Sequence, residues 1–184
     1  MSLDVLTTEN AEEKSAVVLN DVKAKFGFVP NLMGVFAHSP EALKGYLTLG
    51  ELVDQTSLSP TERQIVLLGV SEENNCEYCI AAHSTISSMQ GIDADVVNAV
   101  RENRAIADIK LEGLRRFTKA VVSKRGFVSD EDIREFESVG YTKKNVLEVI
   151  LATAMKTLSN YTNHIAKTPL DEAFEPARWK ATAA

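Results

Sequence analysis

Apolar residues recur at helical spacing in almost every segment of this chain, and that periodicity restricts the fold more than any other feature. Val18, Leu19, Val22 and Phe26 form one set, Leu43, Tyr46, Leu47 and Val53 a second, and Leu111, Leu114, Phe117, Thr118 and Val121 a third. A period of 3.6 places each set on one face of a helix. Strand signals are scarce: no Asn-Gly or Asp-Gly turn separates alternating runs, and the β-branched clusters fall inside longer helical patterns. The expectation is an all-α fold.

Punctuation divides the helices. Gly27 and Pro30 close the first, Ser39 with Pro40 opens the third, and Ser59-Pro60-Thr61-Glu62 supplies an N-cap, a proline at the first helical position and a capping-box glutamate. The helix from Pro60 is predicted to end near Glu73, Asn74-Asn75 to break it, and a new helix to start near Cys76 and last to Gln90-Gly91. Asp93, Asp108, Ser129 and Thr142 read as further N-caps, and the last helix, Thr142 to about Ala166, as the longest. A weak internal repeat pairs Gln64 with Glu148 at an offset of 84 residues, which sets Asn160 and Asn163 in the places of Cys76 and Cys79.

With 184 residues and 45% hydrophobic composition the chain can close one sizeable core, so residues 1–184 are expected to be a single domain. A net charge of −6 from interspersed acids and bases, with no long Lys or Arg run, argues against nucleic acid. No leader-like start and no membrane-length apolar run is present, which suggests a soluble, cytoplasmic protein. In a reducing compartment a close cysteine pair is more often catalytic or metal-binding than a structural staple.

Both cysteines and one of three histidines lie in E-N-N-C-E-Y-C-I-A-A-H, Glu73 to His83. On a helix, Cα atoms three residues apart are separated by about 5 Å and four apart by about 6 Å. Cys76 and Cys79 therefore fit the window for a reversible disulfide, and His83 lies one turn from Cys79 on the same face. The helix start favours a thiolate at Cys76, the imidazole favours Cys79, and spacing alone does not decide which sulfur attacks. Four readings follow: a redox dithiol, a zinc site completed by His38 or His164, haem attachment, and inert buried thiols. Haem attachment requires His directly after the second cysteine, where this chain has Ile80. Zinc pairs usually sit on knuckle loops with a second pair. No cofactor and no metal is expected.

The motif, with L-S-P-T-E-R-Q-I-V-L-L-G-V from Leu58, P-N-L-M-G-V-F-A-H-S-P from Pro30 and T-L-S-N-Y-T-N-H from Thr157, resembles the alkylhydroperoxidase D family within the carboxymuconolactone decarboxylase-like superfamily, in its peroxidase-related branch. The resemblance implies an all-helical fold assembled as a homo-oligomer, often a trimer or hexamer. It implies a thiol peroxidase of peroxiredoxin type, an antioxidant oxidoreductase recycled by a lipoyl- or thioredoxin-like dithiol. Cys79 would attack the peroxide, Cys76 would resolve the sulfenic acid to a disulfide, and His83 would relay a proton.

Two positions depart from the family's pattern. Gln64 stands where a relay glutamate is usual, and Tyr78 where a histidine precedes the second cysteine. An amide orients an imidazole without charging it, and a phenol is a poor base near neutral pH. Glu148 is a possible replacement acid. On the last helix the stripe Val146, Val149, Ile150, Thr153 continues into Thr157, Asn160, Tyr161 and His164, an apolar face turning polar that is expected to line a pocket, an oligomer contact or interhelical hydrogen bonds. Two other functions remain open: a redox-sensing or scaffold protein of this fold, and a lactone decarboxylase-like enzyme, which needs no cysteine pair.

Overall fold

The computed structural model describes residues 3–180 and contains, among these, helices and no strand. Nine α-helices follow in order: α1 Glu13–Phe26, α2 Asn31–Phe36, α3 Pro40–Asp54, α4 Pro60–Glu73, α5 Glu77–Met89, α6 Ala94–Arg101, α7 Ile109–Ser123, α8 Asp130–Ser138 and α9 Lys143–Ala166. A 3₁₀ turn, Glu172–Ala177, follows α9. The predicted N-caps Ser39, Ser59, Asp93, Asp108, Ser129 and Thr142 all precede helices.

Helix α4 is the centre of the fold and packs against α5, α6, α7 and α9, with α3 laid on α9. Its interior residues Gln64 to Ser71 are all buried, as expected of a helix apolar nearly all round. Its start is held by the Ser59–Glu62 capping box, with Glu62 also accepting from Tyr141 Oη at 2.8 Å. At its end Asn75 adopts a left-handed φ of 54°, and Cys76 N–H donates to Ser71 O at 2.8 Å. That six-to-one bond across a left-handed residue is the usual way a helix stops, with Asn in the place of Gly. Cys76 thereby becomes the N-cap of α5.

The first helix buries Leu19 and Val22, but Phe26 is half exposed, because Gly27 at φ 82° ends the helix immediately after it. The larger correction concerns α9. Its buried residues are Glu148, Val149, Ala152, Met155, Lys156, Ser159, Asn160 and Asn163, so the core face lies one residue N-terminal of the expected stripe, about 100° around the helix. Ile150, Tyr161 and His164 are exposed. The small residues Ala152 and Ser159 lie on this buried face, and so does Lys156, which the expected stripe did not include. No helix among the described residues is long and apolar enough to cross a membrane.

Candidate active site

Both sulfurs are buried reduced thiols at the junction of α4 and α5, opposite the C-terminal half of α9. Asn163 Nδ2 donates to Cys79 Sγ at 3.3 Å and to Cys76 Sγ at 3.7 Å, so one amide spans the pair. Ser159 Oγ lies 3.7 Å from Cys79 Sγ and itself donates to the Lys156 carbonyl. Asn163, the repeat partner of Cys79, therefore sits beside both sulfurs. Asn160 accepts from Asn74 Nδ2 at 3.0 Å and donates to Ser71 Oγ at 3.4 Å, which fixes the break between α4 and α5.

The two thiols titrate as a pair holding a single proton. Cys76 is pushed up, first by its hydrogen bond to Cys79 and then by burial. Burial alone would raise Cys79 too, but the hydrogen bond from Cys76 and the charge of Lys156 outweigh it and hold Cys79 well below the ordinary thiol range. The thiolate thus belongs on Cys79.

Lys156 is the charged residue that the sequence reading missed. It is fully buried, and its Nζ makes no hydrogen bond of ordinary geometry. Burial lowers its affinity for a proton, yet the negative charge of Cys79, with smaller contributions from Tyr46 and Cys76, more than restores it. The signal was present: Lys156 falls on the 149, 152, 156, 159, 163 row, but a stripe chosen by hydrophobicity passes over a lysine.

Gln64 of α4 and His83 of α5 meet across the hairpin that these two helices form. His83 Nδ1 and Gln64 Oε1 are 3.0 Å apart, and Gln64 Nε2 donates to Gln90 Oε1 at 3.4 Å. A carbonyl oxygen only accepts, so the proton of the neutral imidazole is on Nδ1 and Nε2 carries the lone pair. Burial, helped by the Lys156 charge, holds His83 well below its usual value, so the ring stays neutral.

Tyr78 has a different task from the histidine it replaces. Its hydroxyl donates to Asp171 Oδ2 at 2.5 Å and accepts from Leu32 N–H at 3.3 Å, while Asp171 also accepts from Asn31 N–H at 3.0 Å. Burial, then the Asp171 hydrogen bond, pushes the phenol up, so it stays protonated. Tyr78 thus anchors the segment after α9 onto α5. A cavity of about 250 Å³ lies beside it, lined by Glu77, Tyr78, Thr168, Pro169, Leu170, Arg178 and Trp179. A larger one of about 360 Å³ lies between α7 and α8, lined by Phe117 and Phe136 and by none of the thiol-site residues.

Three residues are not at the thiols. The Glu148 carboxylate accepts from Ser57 N–H at 2.8 Å and from Asn145 Nδ2 at 3.0 Å, two turns up α9 from Lys156. His164 is exposed beside the Tyr161 ring, and His38 Nε2 is bonded to Asp4 O at 2.9 Å. Neither imidazole joins the cysteines, and no cluster of three or more His, Cys, Asp or Glu converges among the described residues.

The fold is shared with known structures. A peroxidase-related protein from Ralstonia eutropha JMP134 with an alkylhydroperoxidase D core superposes with a TM-score of 0.82 at 21% identity, over 92% of each chain. A peroxidase-related protein from Silicibacter sp. TM1040 gives 0.80 at 16% identity, over 95% of each chain. The debrominase Bmp8, in its C82A form with 2,3,4-tribromopyrrole, gives 0.80 at 14% identity, over 96% of this chain and 95% of that one. Comparison with curated proteins gave no significant match. This is the all-helical alkylhydroperoxidase D-like class of fold. Residues 40–119 match the carboxymuconolactone decarboxylase family model, within the part of the chain that carries the two cysteines.

Proposed function

We propose that the protein is a thiol peroxidase that reduces hydroperoxides through a Cys76–Cys79 dithiol and disulfide cycle. The observation that carries this reading is the asymmetry of the pair. Cys79 is favoured as thiolate and receives the Asn163 amide at 3.3 Å, while Cys76 keeps its proton. A thiolate is the attacking form of cysteine, and its neighbouring thiol is placed to resolve the product. Cys79 attacks the terminal peroxide oxygen, the O–O bond breaks, and Cys79 becomes a sulfenic acid while the alkoxide takes a proton. Cys76 then condenses with the sulfenic acid, water leaves and the disulfide forms. A lipoyl- or thioredoxin-like dithiol returns two electrons and two protons.

His83, neutral and oriented by Gln64, is the proposed relay between the site and the proton that the leaving alkoxide takes. Homo-oligomer formation, as a trimer or hexamer, is proposed to use the exposed apolar row Leu147, Ile150, Tyr161 and Ile165 on α9. A cytoplasmic location is proposed, where a close cysteine pair is more often catalytic than a structural staple.

Stopped-flow oxidation by several hydroperoxides tests the reading on the wild type, Cys76→Ser and Cys79→Ser. The wild type is expected to lose both alkylatable thiols, Cys76→Ser to stop at a sulfenic acid, and Cys79→Ser not to react. Two thiols still alkylatable after stoichiometric peroxide overturn it.

A further inference from the structure

We propose that Lys156 is the proton store of the Cys76–Cys79 redox cycle: an ammonium opposite the Cys79 thiolate in the reduced protein, and a neutral amine once the disulfide has formed. The inference rests on the dithiol reading above and supplies the proton that reading requires.

Lys156 is fully buried, its Nζ has no hydrogen-bond partner of ordinary geometry, and no carboxylate pairs with it among the described residues. It shares a helix face with Ser159 and Asn163, both of which reach the sulfurs. The titratable groups that face it are Tyr46 from α3 and Cys76, Cys79 and His83 at α5. Helix α2 carries no titratable side chain. The acids of α4 and α7 are engaged elsewhere: Glu62 with Lys110 and Tyr141, Glu73 with Lys119, Glu112 with Arg115, and Glu72 with Lys119 and Arg115 as its nearest cations. Of these neighbours, Tyr46 is held protonated by burial and Cys76 holds the shared proton, so Cys79 is the anion that balances the ammonium.

A buried cation persists only with its counter-charge; without it the group sheds its proton. Oxidation of Cys79, to the sulfenic acid and then to the disulfide, removes its charge while leaving Lys156 buried. The ammonium therefore loses its reason to be charged at the same step in which a leaving alkoxide needs a proton. The cycle then balances within the protein. Thiolate, ammonium and hydroperoxide give sulfenic acid, amine and alcohol. Sulfenic acid and the Cys76 thiol give disulfide and water. An incoming dithiol transfers two electrons and two protons, one proton to Cys76 and one to the Lys156 amine, and restores the starting state. A charged imidazole is not needed, which fits a neutral His83 set against an amide in place of a carboxylate.

Proton counting tests this. Reduced protein in weak buffer near neutral pH is oxidised with diamide, an azo oxidant that takes up two hydrogens and leaves no alkoxide, while an indicator dye follows proton uptake. Thiolate ultraviolet absorbance is recorded first. The expected result is a thiolate band in the reduced protein and no net proton uptake per disulfide formed, both hydrogens coming from Cys76 and Lys156. A thiolate band followed by uptake of one proton per disulfide overturns the store, and so does the absence of the band. Lys156→Met, if folded by circular dichroism, is expected to lose the band; a folded variant that keeps it also overturns the proposal. If that variant does not fold, the wild-type count decides alone. Protein that balances its protons with diamide yet ignores hydroperoxides sinks the peroxidase reading and leaves the proton store standing.

Discussion

The segment from Gln64 to Cys79 and the segment from Glu148 to Asn163 share a hydrophobic pattern and divide the chemistry between them. The first is broken at Asn75, whose left-handed backbone ends α4 and sets Cys76 at the start of α5. The second runs through the same span unbroken as α9. One break puts two sulfurs at a helix start; the continuous helix lays a lysine, a serine and two asparagines along one face against them. Asn160 holds the break and Asn163 holds the sulfurs. Two similar patterns yield a reactive half and a supporting half because a single residue position, 75, accepts positive φ.

The comparison is sharpened most by Asn163→Leu, which keeps the volume and removes the donor to both sulfurs. A hydrogen bond to a charged group is worth about 1.5–3 kcal/mol, so oxidation by peroxide in stopped flow is expected to slow by roughly tenfold to a hundredfold. An unchanged rate would make the amide a spacer. Asn160→Leu is expected to leave that rate alone and lower stability instead.

Next comes pH. His83 is held neutral in the fold, whereas the unfolded chain titrates near the ordinary value of 6.5. Below that value the unfolded state binds the extra proton, so stability is full above it and is lost as pH falls, by about 1.4 kcal/mol per pH unit from this residue. Urea midpoints at neutral and mildly acid pH should show that slope in wild type and lose it in His83→Gln. Gln64→Glu should flatten it, because a carboxylate lets the imidazole charge.

Smaller effects separate the two segments. Asn75→Val is expected to cost about 1–2 kcal/mol in urea unfolding and Asn75→Gly almost nothing, since only the β-branched side chain resists the left-handed conformation. A full loss with Gly would remove the backbone explanation. Glu148→Gln is expected to cost about 1 kcal/mol by weakening the tie to Ser57, with the alkylation rate of Cys79 unaltered. A changed alkylation rate would return Glu148 to the thiol site.

Much of the fold was legible because helix starts and stops are local. Ser39, Ser59, Asp93, Asp108, Ser129 and Thr142 cap helices by chemistry that a sequence states directly. The Cys76, Cys79 and His83 spacing was equally local, as was the Gln64 contact, which follows from a hairpin of two helices. Lys156 was not legible, because a buried lysine is defined by what it faces across the core. The orientation of α9 was misread for a related reason: the face it buries carries Glu148, Lys156, Ser159, Asn160 and Asn163 beside its apolar residues, so hydrophobicity alone does not pick it out. Tyr78 was legible as a departure from the family's histidine, but its partner Asp171 was not, because it lies 93 residues away in sequence.

That Tyr78 to Asp171 bond means that the turn of helix carrying the two thiols has no mechanical independence from the C-terminal segment. The backbone that bears Tyr78 lies between residues 76 and 79, and the Tyr78 hydroxyl reaches a carboxylate that also grips the start of α2. The thiol turn is therefore fastened at three points: α5 itself, the start of α2 and the segment that follows α9.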